Sequence, residues 1–148
     1  MENQILEQKK RLTKEDYPLG LKSPDLLFTT TDKAYDELTL DAALAGEITD
    51  KDLRISPRTL EMQAEISESI GRAQLAKNFR RAAEMINISD ARILEIYNAL
   101  RPNRSTKEEL LTIAQELEDE YGAVENASLI REAADVYERR GRLKEIEV

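Results

Sequence analysis

The chain has 148 residues, a formal net charge of −8, 41% hydrophobic and 35% charged residues, and neither histidine nor cysteine. The missing residue types exclude thiolate nucleophiles, disulfides, zinc fingers and Ser-His-Asp catalysis, and the acidic balance argues against binding to nucleic acid or to an anionic membrane surface. No apolar run approaches the ~20 residues of a membrane span and no signal peptide precedes the chain, so we expect a soluble intracellular protein.

Residues 1–13 are polar, with only sparse apolar positions. This composition favours a terminal tail. The alternative is a short helix that docks on another protein through one face, formed by Ile5, Leu6, Lys9 and Leu12.

Residues 14–55 combine turn-forming residues with more apolar side chains than a linker carries. Over residues 14–37 the turn formers argue against a helix, and we predict an extended arm that lays its apolar side chains onto a surface. That surface is either the helical core of the same chain or a partner. Within the arm, Thr39 as N-cap and Gly46 as terminator predict one short helix.

From residue 56 onward the apolar residues follow a helical period. Ser56 followed by Pro57 is typical of a helix start, and the spacing continues to residue 86. Gly71 interrupts this stretch and weakens a helix by roughly 1 kcal/mol relative to alanine. We predict one helix over residues 56–86, with a bend at Gly71 as the alternative.

A tight turn connects the next two predicted helices. The first begins at a cap supplied by Ser89 or Asp90 and runs to about Leu100, because Pro102 disfavours helical geometry at the residue before it. The second begins at a capping box. Two pairs fit that box, Ser105 with Glu108 and Thr106 with Glu109.

The second of these helices is predicted to end near Gly122, and a last helix closes in the basic run 139–142, whose charges suit a helix C-terminus. No convincing strand pattern is present. The sequence therefore predicts an all-α protein of about four main helices, arranged as helical hairpins preceded by the arm. Its predicted divisions are a tail over residues 1–13, an arm over 14–55 and a helical domain over 56–148.

Candidate chemical groups have ordinary structural explanations. The acidic run 116–120 could form a cation site, but a solvated helix face explains it without a metal. Isolated arginines are explained by surface ion pairs, with a partner's carboxylates or a phosphate as the alternative. The residues alone therefore indicate an interaction subunit with no recognisable active site.

Five segments are distinctive when taken together. They are Asp16-Tyr17-Pro18-Leu19, Arg54-Ile55-Ser56, Asn78-Phe79-Arg80-Arg81-Ala82-Ala83-Glu84, the run from Arg92 to Pro102, and Arg104-Ser105. In these segments the chain resembles the small (gamma) subunit of the adenosylcobalamin-dependent diol and glycerol dehydratases, over about residues 16–144. It departs from the family pattern at Ser89 and Ala91, where Pro and Asp are expected, and at Asn103, where an aromatic residue is common.

The resemblance implies a helical subunit in a heterohexamer with two copies each of large, medium and small subunits. That complex converts 1,2-diols or glycerol to an aldehyde and water. Homolysis of the cobalt–carbon bond of adenosylcobalamin gives an adenosyl radical that abstracts a substrate hydrogen, and the hydroxyl group migrates before water is lost. The coenzyme lies between the large and medium subunits and the small subunit packs on the large one. The resemblance therefore implies no catalytic, cofactor-binding or metal-binding residue on this chain.

The resemblance also implies a location in the bacterial cytoplasm. Family members with a long N-terminal extension are packaged in a bacterial microcompartment. Only about fifteen residues precede Tyr17 in this chain, so packaging stays open.

Our first hypothesis is a non-catalytic structural subunit that covers and rigidifies the large subunit, with no nucleic-acid or membrane partner. The residues predicted to contact the partner are Tyr17, Leu19, Phe28, Arg92, Tyr97 and Arg101. The alternative is a free-standing helical adaptor that binds its target through the arm or an exposed groove.

Overall fold

A computed structural model describes residues 11–145, and this part of the chain is all-α, as predicted. It contains seven α-helices and no strand beyond an isolated bridge between Phe28 and Ala34. None of the described helices is both long and apolar enough to cross a bilayer. The chain divides into two compact units, residues 1–79 and residues 80–148. The boundary falls within one helix, Ala73–Met85.

The first unit begins with short helical elements and ends with two long helices. The α-helices are α1 (Leu19–Lys22), α2 (Leu40–Leu44), α3 (Pro57–Ser69) and the start of α4 (Ala73–Met85). Single 3₁₀ turns lie at Lys14–Asp16, Pro24–Leu26 and Tyr35–Glu37. Residues 14–37, predicted to lack helix, thus contain isolated helical turns. The predicted helix after Thr39 is confirmed, and the Thr39 hydroxyl accepts a hydrogen bond from the backbone of Ala42.

The core of the first unit is small. Leu12 and Leu19 pack with Met62 and Ile66 of α3, and each of these side chains is at most 8% exposed. Two side chains of α3 also hold the chain where the first 3₁₀ turn begins. Glu65 accepts from the Leu12 N–H at 2.9 Å, and Ser69 accepts from the Lys14 N–H at 2.9 Å. The residues that follow the N-terminal ten therefore pack against α3 within the same chain.

Asp52 ties two loops of the first unit together. Its carboxylate accepts from the Thr31 hydroxyl, from the Thr49 backbone N–H at 2.6 Å and from Lys33 Nζ at 3.0 Å. The side chain is 1% exposed. A buried carboxylate is stable only when its oxygens are hydrogen-bonded or paired, and here several donors converge on it.

The prediction of one helix over residues 56–86 is wrong. Helix α3 ends at Ser69 and α4 begins at Ala73, because Gly71 adopts the left-handed conformation with φ of 75°. The Gly71 N–H donates to Glu68 O and the Arg72 N–H donates to Ser67 O, each at 2.9 Å, which closes the end of α3 in a Schellman motif. Gly71 is therefore a stop and not a bend. Helix α3 starts after Ser56 as predicted, but the Ser56 hydroxyl makes no capping hydrogen bond.

The second unit contains the end of α4 and three further helices, which are α5 (Asp90–Ala99), α6 (Lys107–Tyr121) and α7 (Val124–Arg140). Ser89 caps α5, and Thr106 with Glu109 forms the capping box of α6, so both predicted starts are confirmed. Helices α6 and α7 pack against each other as a hairpin, and Gly122 in the left-handed conformation ends α6 as predicted. Because α3 and α4 are separate, the described residues contain five long helices, against the prediction of about four.

One apolar cluster holds the second unit together. It is built mostly from the facing sides of α6 and α7, and its buried residues are Ile88, Ile96, Leu110, Ala114, Leu117, Ala123, Ala127, Ile130 and Ala134. Alanines alternate with larger side chains, which lets the helices approach closely while the larger residues fill the space. Tyr137 also packs here, and its hydroxyl donates to Leu100 O at 2.6 Å.

Short contacts fix the connector between α5 and α6. Ser105 is 5% exposed, and its hydroxyl donates to Ala99 O at 2.9 Å. This bond satisfies a carbonyl group at the end of α5, so the Ser105 hydroxyl does not cap α6. Asn103 has φ of 60°, a conformation that asparagine tolerates better than most residues, and its N–H donates to Arg142 O at 2.8 Å. The Lys144 N–H donates to Ser105 O at 2.9 Å. The connector is thus paired with the segment that follows α7.

Candidate protein-interaction surfaces

An apolar groove of about 240 Å³ lies within the second unit. Its walls include Ile93 and Tyr97 of α5, Leu117 of α6, Leu129 of α7 and Met85 at the end of α4. Tyr97 is 66% exposed, while Leu129 and Met85 are 40% and 39% exposed. Large apolar side chains that line a concavity and remain exposed in an isolated chain are typical of protein-binding sites.

The groove offers little to a polar ligand. Asn126 lines it, but its side-chain amide already donates to Glu84 Oε2 at 2.7 Å and to Arg81 O at 3.0 Å. Within residues 11–145, every buried side-chain polar atom has a hydrogen-bond partner. Apart from Asn126 and Tyr97, the side chains that line the groove are wholly apolar, so the groove suits an apolar group.

Glu84 positions one wall of the groove. Its carboxylate accepts from the backbone N–H groups of Glu125 and Asn126, each at 2.9 Å. Helix α7 has no side-chain cap of its own at Ala123, so Glu84 satisfies the free N–H groups of its first turn. A carboxylate at a helix N-terminus also interacts favourably with the macrodipole. Glu84 thereby fixes α7, which carries Leu129.

The first unit presents apolar side chains of a different kind, on short elements instead of in a concavity. Leu40 and Leu44 are one turn apart on α2 and are 74% and 78% exposed. Leu21, Leu53 and Ile55 are between 65% and 80% exposed. This density of exposed aliphatic residues is unusual for a surface that faces only water.

Three of the predicted contact residues lie in the first unit, and they differ in exposure. Tyr17 is 59% exposed, whereas Leu19 is 3% exposed and belongs to the core beside Met62. Phe28 is 38% exposed, and the guanidinium carbon of Arg58 lies 5.6 Å from its ring centroid. Leu19 packs inside its own chain, so the surface prediction for Leu19 is replaced by a core role, while Tyr17 and Phe28 remain predicted contacts.

The other three predicted residues lie on or just after α5. Tyr97 stands at the groove and Arg101 is exposed. Arg92 is held inside its own unit, because its guanidinium donates to both carboxylate oxygens of Glu116, with Nε–Oε1 at 2.8 Å, and to Glu95 at 2.7 Å. The structure thus places Tyr97 at the groove and pairs Arg92 with Glu116 of its own unit.

Ion pairs account for the main shifts in titration behaviour in the second unit. Hydrogen bonding to Arg92 lowers the pKa of Glu116, and hydrogen bonding to Glu116 raises the pKa of Arg92. Hydrogen bonding to Glu138 and then Asp135 raises the pKa of Lys107. These pairs link helices. In the described part of the chain, no group of three or more acidic, histidine or cysteine side chains is placed to hold a metal ion.

The sequence alone did not single out Met85 or Leu129 as contact residues. Their spacing fits the apolar stripes of α4 and α7, so they look like ordinary core positions. Only the meeting of α5 with α7 leaves them beside an open groove. The one sequence signal for a contact surface was an excess of apolar residues over what a chain of this length can bury.

Comparison with known proteins gives a consistent result. A family described as "Dehydratase small subunit" matches residues 12–144. The propanediol dehydratase small subunit of Salmonella typhimurium strain LT2 is 53% identical over 129 residues, which cover 87% of this chain and 75% of that protein. The propanediol dehydratase small subunit of Citrobacter freundii is 52% identical over 129 residues, with the same coverage of each chain.

Proposed function

The chain belongs to the dehydratase small-subunit family, and from that premise we propose that it is the non-catalytic structural subunit of a propanediol or glycerol dehydratase. The observation that carries the proposal is identity above half over 87% of the chain to proteins named propanediol dehydratase small subunit. The enzyme would convert 1,2-diols or glycerol to an aldehyde and water in the bacterial cytoplasm. The chain would act by packing on the large subunit in a complex with two copies each of large, medium and small subunits.

A structural role agrees with how the charged residues of this chain are used. Four groups with shifted pKa, Asp52, Arg92, Lys107 and Glu116, each have partners within the chain that explain the shift. A catalytic acid or base is usually perturbed and also open to a substrate. The exposed apolar residues of both units, in contrast, are what a subunit buries on assembly.

The coenzyme is assigned to the other subunits. The chain has no histidine or cysteine, and residues 11–145 offer no grouped metal-ligating side chains. On the family resemblance, adenosylcobalamin binds between the large and medium subunits and would supply the radical chemistry there. The contribution of this chain is to exclude water from a shared interface and to limit motion of the subunit that it covers.

Co-expression tests the proposal. The chain is produced with the large and medium subunits, one of which carries an affinity tag, and the purified complex is assayed for aldehyde formation from 1,2-propanediol and from glycerol in the presence of adenosylcobalamin. We expect the chain to co-purify in equal proportion to the other subunits. We also expect omission of the chain to reduce the yield and activity of the complex.

One outcome of this experiment would contradict the proposal. If the chain remains monomeric and the large and medium subunits keep full activity without it, the proposal is wrong. The same result, with a stable monomer that unfolds cooperatively, would favour a free-standing adaptor instead.

A further inference from the structure

We infer that the groove between α5 and α7 receives a bulky apolar side chain from another subunit of the dehydratase. The inference rests on the proposed function, because it takes the partner to be a subunit of the same complex. It adds the site of contact and the chemistry of the group that occupies it.

The size of the groove favours a side chain over a small molecule. Its volume of about 240 Å³ is below the ~300–1,000 Å³ typical of small-molecule sites. A concavity of this size suits one large apolar side chain or two smaller ones. The groove thus has the form of a pocket that takes the anchor residue of a protein interface.

The lining favours the same occupant. Tyr97 and Met85, both partly exposed, belong to residue types that are enriched at interfaces, and Met85 can adapt its shape to an incoming side chain. Asn126 has its amide committed to Arg81 O and Glu84. A charged occupant would lose its hydration and would meet no side chain of opposite charge in this lining.

The floor of the groove is rigid, which lowers the entropic cost of binding. Leu117 and Ile130 belong to the buried cluster of the second unit, and each is 2% exposed. Glu84 fixes the first turn of α7. A preformed pocket loses little conformational freedom when it is filled. The described residues of this unit leave the groove open. The family description, "Dehydratase small subunit", implies that other subunits of the same enzyme are available to fill it.

The chain contains no cysteine, which allows a site-specific test. Leu129→Cys places one thiol in the groove wall, and Tyr97→Cys places one at the more exposed edge. Leu111→Cys is the matched control, because Leu111 is 39% exposed, close to the 40% of Leu129, yet does not line the groove. Each variant is prepared both alone and in the assembled complex with the large and medium subunits. Helix content is checked by circular dichroism.

The measurement is the rate at which iodoacetamide alkylates this chain, read from its intact mass. We expect assembly to slow alkylation of both groove cysteines by about ten-fold or more, because a packed anchor excludes the reagent, and to slow alkylation at Leu111→Cys by less than about two-fold. Equal alkylation of the groove cysteines in free and assembled chain would overturn the inference. Equal protection of the control would also overturn it, since the masking would then not belong to the groove.

Two other outcomes separate this inference from what it rests on. If the chain does not co-purify with the other subunits, the proposed function fails before the groove is tested. If it co-purifies and the groove stays reactive, the function stands and the inference is wrong. Protection that rises with the concentration of the isolated chain would assign the groove to a second copy and would likewise contradict the inference.

Discussion

In the second unit, nine of the described residues form one buried apolar cluster, whereas the corresponding cluster of the first unit has four. The larger cluster lies between long helices that cover each other. The smaller one lies where α3 meets the segments around Leu12 and Leu19. The first unit depends more on side chains that bond to distant groups. Glu65 and Ser69 accept from distant backbone N–H groups, and Asp52 accepts from two distant side chains. Burial therefore stabilises the second unit, while convergent hydrogen bonds shape the first.

This difference indicates how each unit is used. A unit with its own core can hold a preformed groove, because its walls do not depend on the partner. A unit of short turns, with leucines exposed by more than 70%, gains most of its apolar burial only when another surface covers it.

Truncation of the core should have the largest effect, and in the second unit above all. Leu110→Ala removes a side chain that is 0% exposed, and we expect the free energy of unfolding to fall by about 2–5 kcal/mol. For Leu19→Ala, in the smaller cluster, we expect the loss of unfolding free energy to lie at or below the lower end of that range, because the surroundings of Leu19 can collapse more easily. Urea unfolding followed by circular dichroism measures both, and hydrogen exchange assigns the loss to a unit. A larger loss for Leu19→Ala than for Leu110→Ala would reverse the comparison.

Removing the charge of Glu84 should loosen the start of α7. Glu84→Gln keeps one acceptor but loses the carboxylate that takes bonds from Glu125 and Asn126, so we expect a loss of about 1–2 kcal/mol. Hydrogen exchange should increase in the first turn of α7 more than elsewhere. Glu120→Gln, on the exposed side of α6, is the control and should stay within about 0.5 kcal/mol of the parent. Equal effects of the two changes would show that Glu84 does not act as a cap.

The local features of the fold could be predicted from the sequence because neighbouring residues determine them. The side chains of Thr39, Ser89 and Thr106 each accept from a backbone N–H three residues later. Gly122 stops α6 through its own backbone freedom. The break at Gly71 could not be predicted in the same way. Apolar residues on both sides of it keep one helical period, so the pattern continues while the backbone does not.

The candidate site was less predictable because it depends on contacts between distant residues. Glu84 caps a helix that begins forty residues later, and no local pattern marks that pairing. The groove is lined by residues of four helices that lie far apart in the sequence. The sequence selected Tyr97 as a predicted contact, and Tyr97 lines the groove. It could not separate the buried Leu19 from the exposed Leu40, since both are leucines of the predicted arm.

The contrast also predicts acid sensitivity in the loops of the first unit that Asp52 holds together. Hydrogen bonds from Thr31, then from the Thr49 backbone and from Lys33, hold the pKa of Asp52 well below its usual value of 3.8. A lowered folded-state pKa contributes stability above the usual value, and that stability is lost as the pH falls below about 4. Backbone and methyl NMR signals of Thr31 and Thr49 should therefore shift only in strong acid.

Asp52→Asn should remove this pH dependence and should increase hydrogen exchange in residues 29–53 already at neutral pH. Asp50→Asn is the control, because the Asp50 side chain is 83% exposed. Signals of α6 and α7 should not respond to either substitution. An Asp52→Asn protein with unchanged exchange in these loops would show that the carboxylate does not hold them together.

The smallest effect on the isolated chain is expected at the exposed leucines of α2. Leu40→Gln and Leu44→Gln keep helix propensity and side-chain length, and both positions are more than 70% exposed. Each change should therefore alter the free energy of unfolding by no more than about 0.5 kcal/mol. The double variant should also self-associate less, as measured by light scattering, and should bind the large and medium subunits more weakly if they cover α2. A loss above about 1 kcal/mol for either single variant would mean that these leucines already stabilise the first unit, and that its exposed apolar residues are not reserved for a partner.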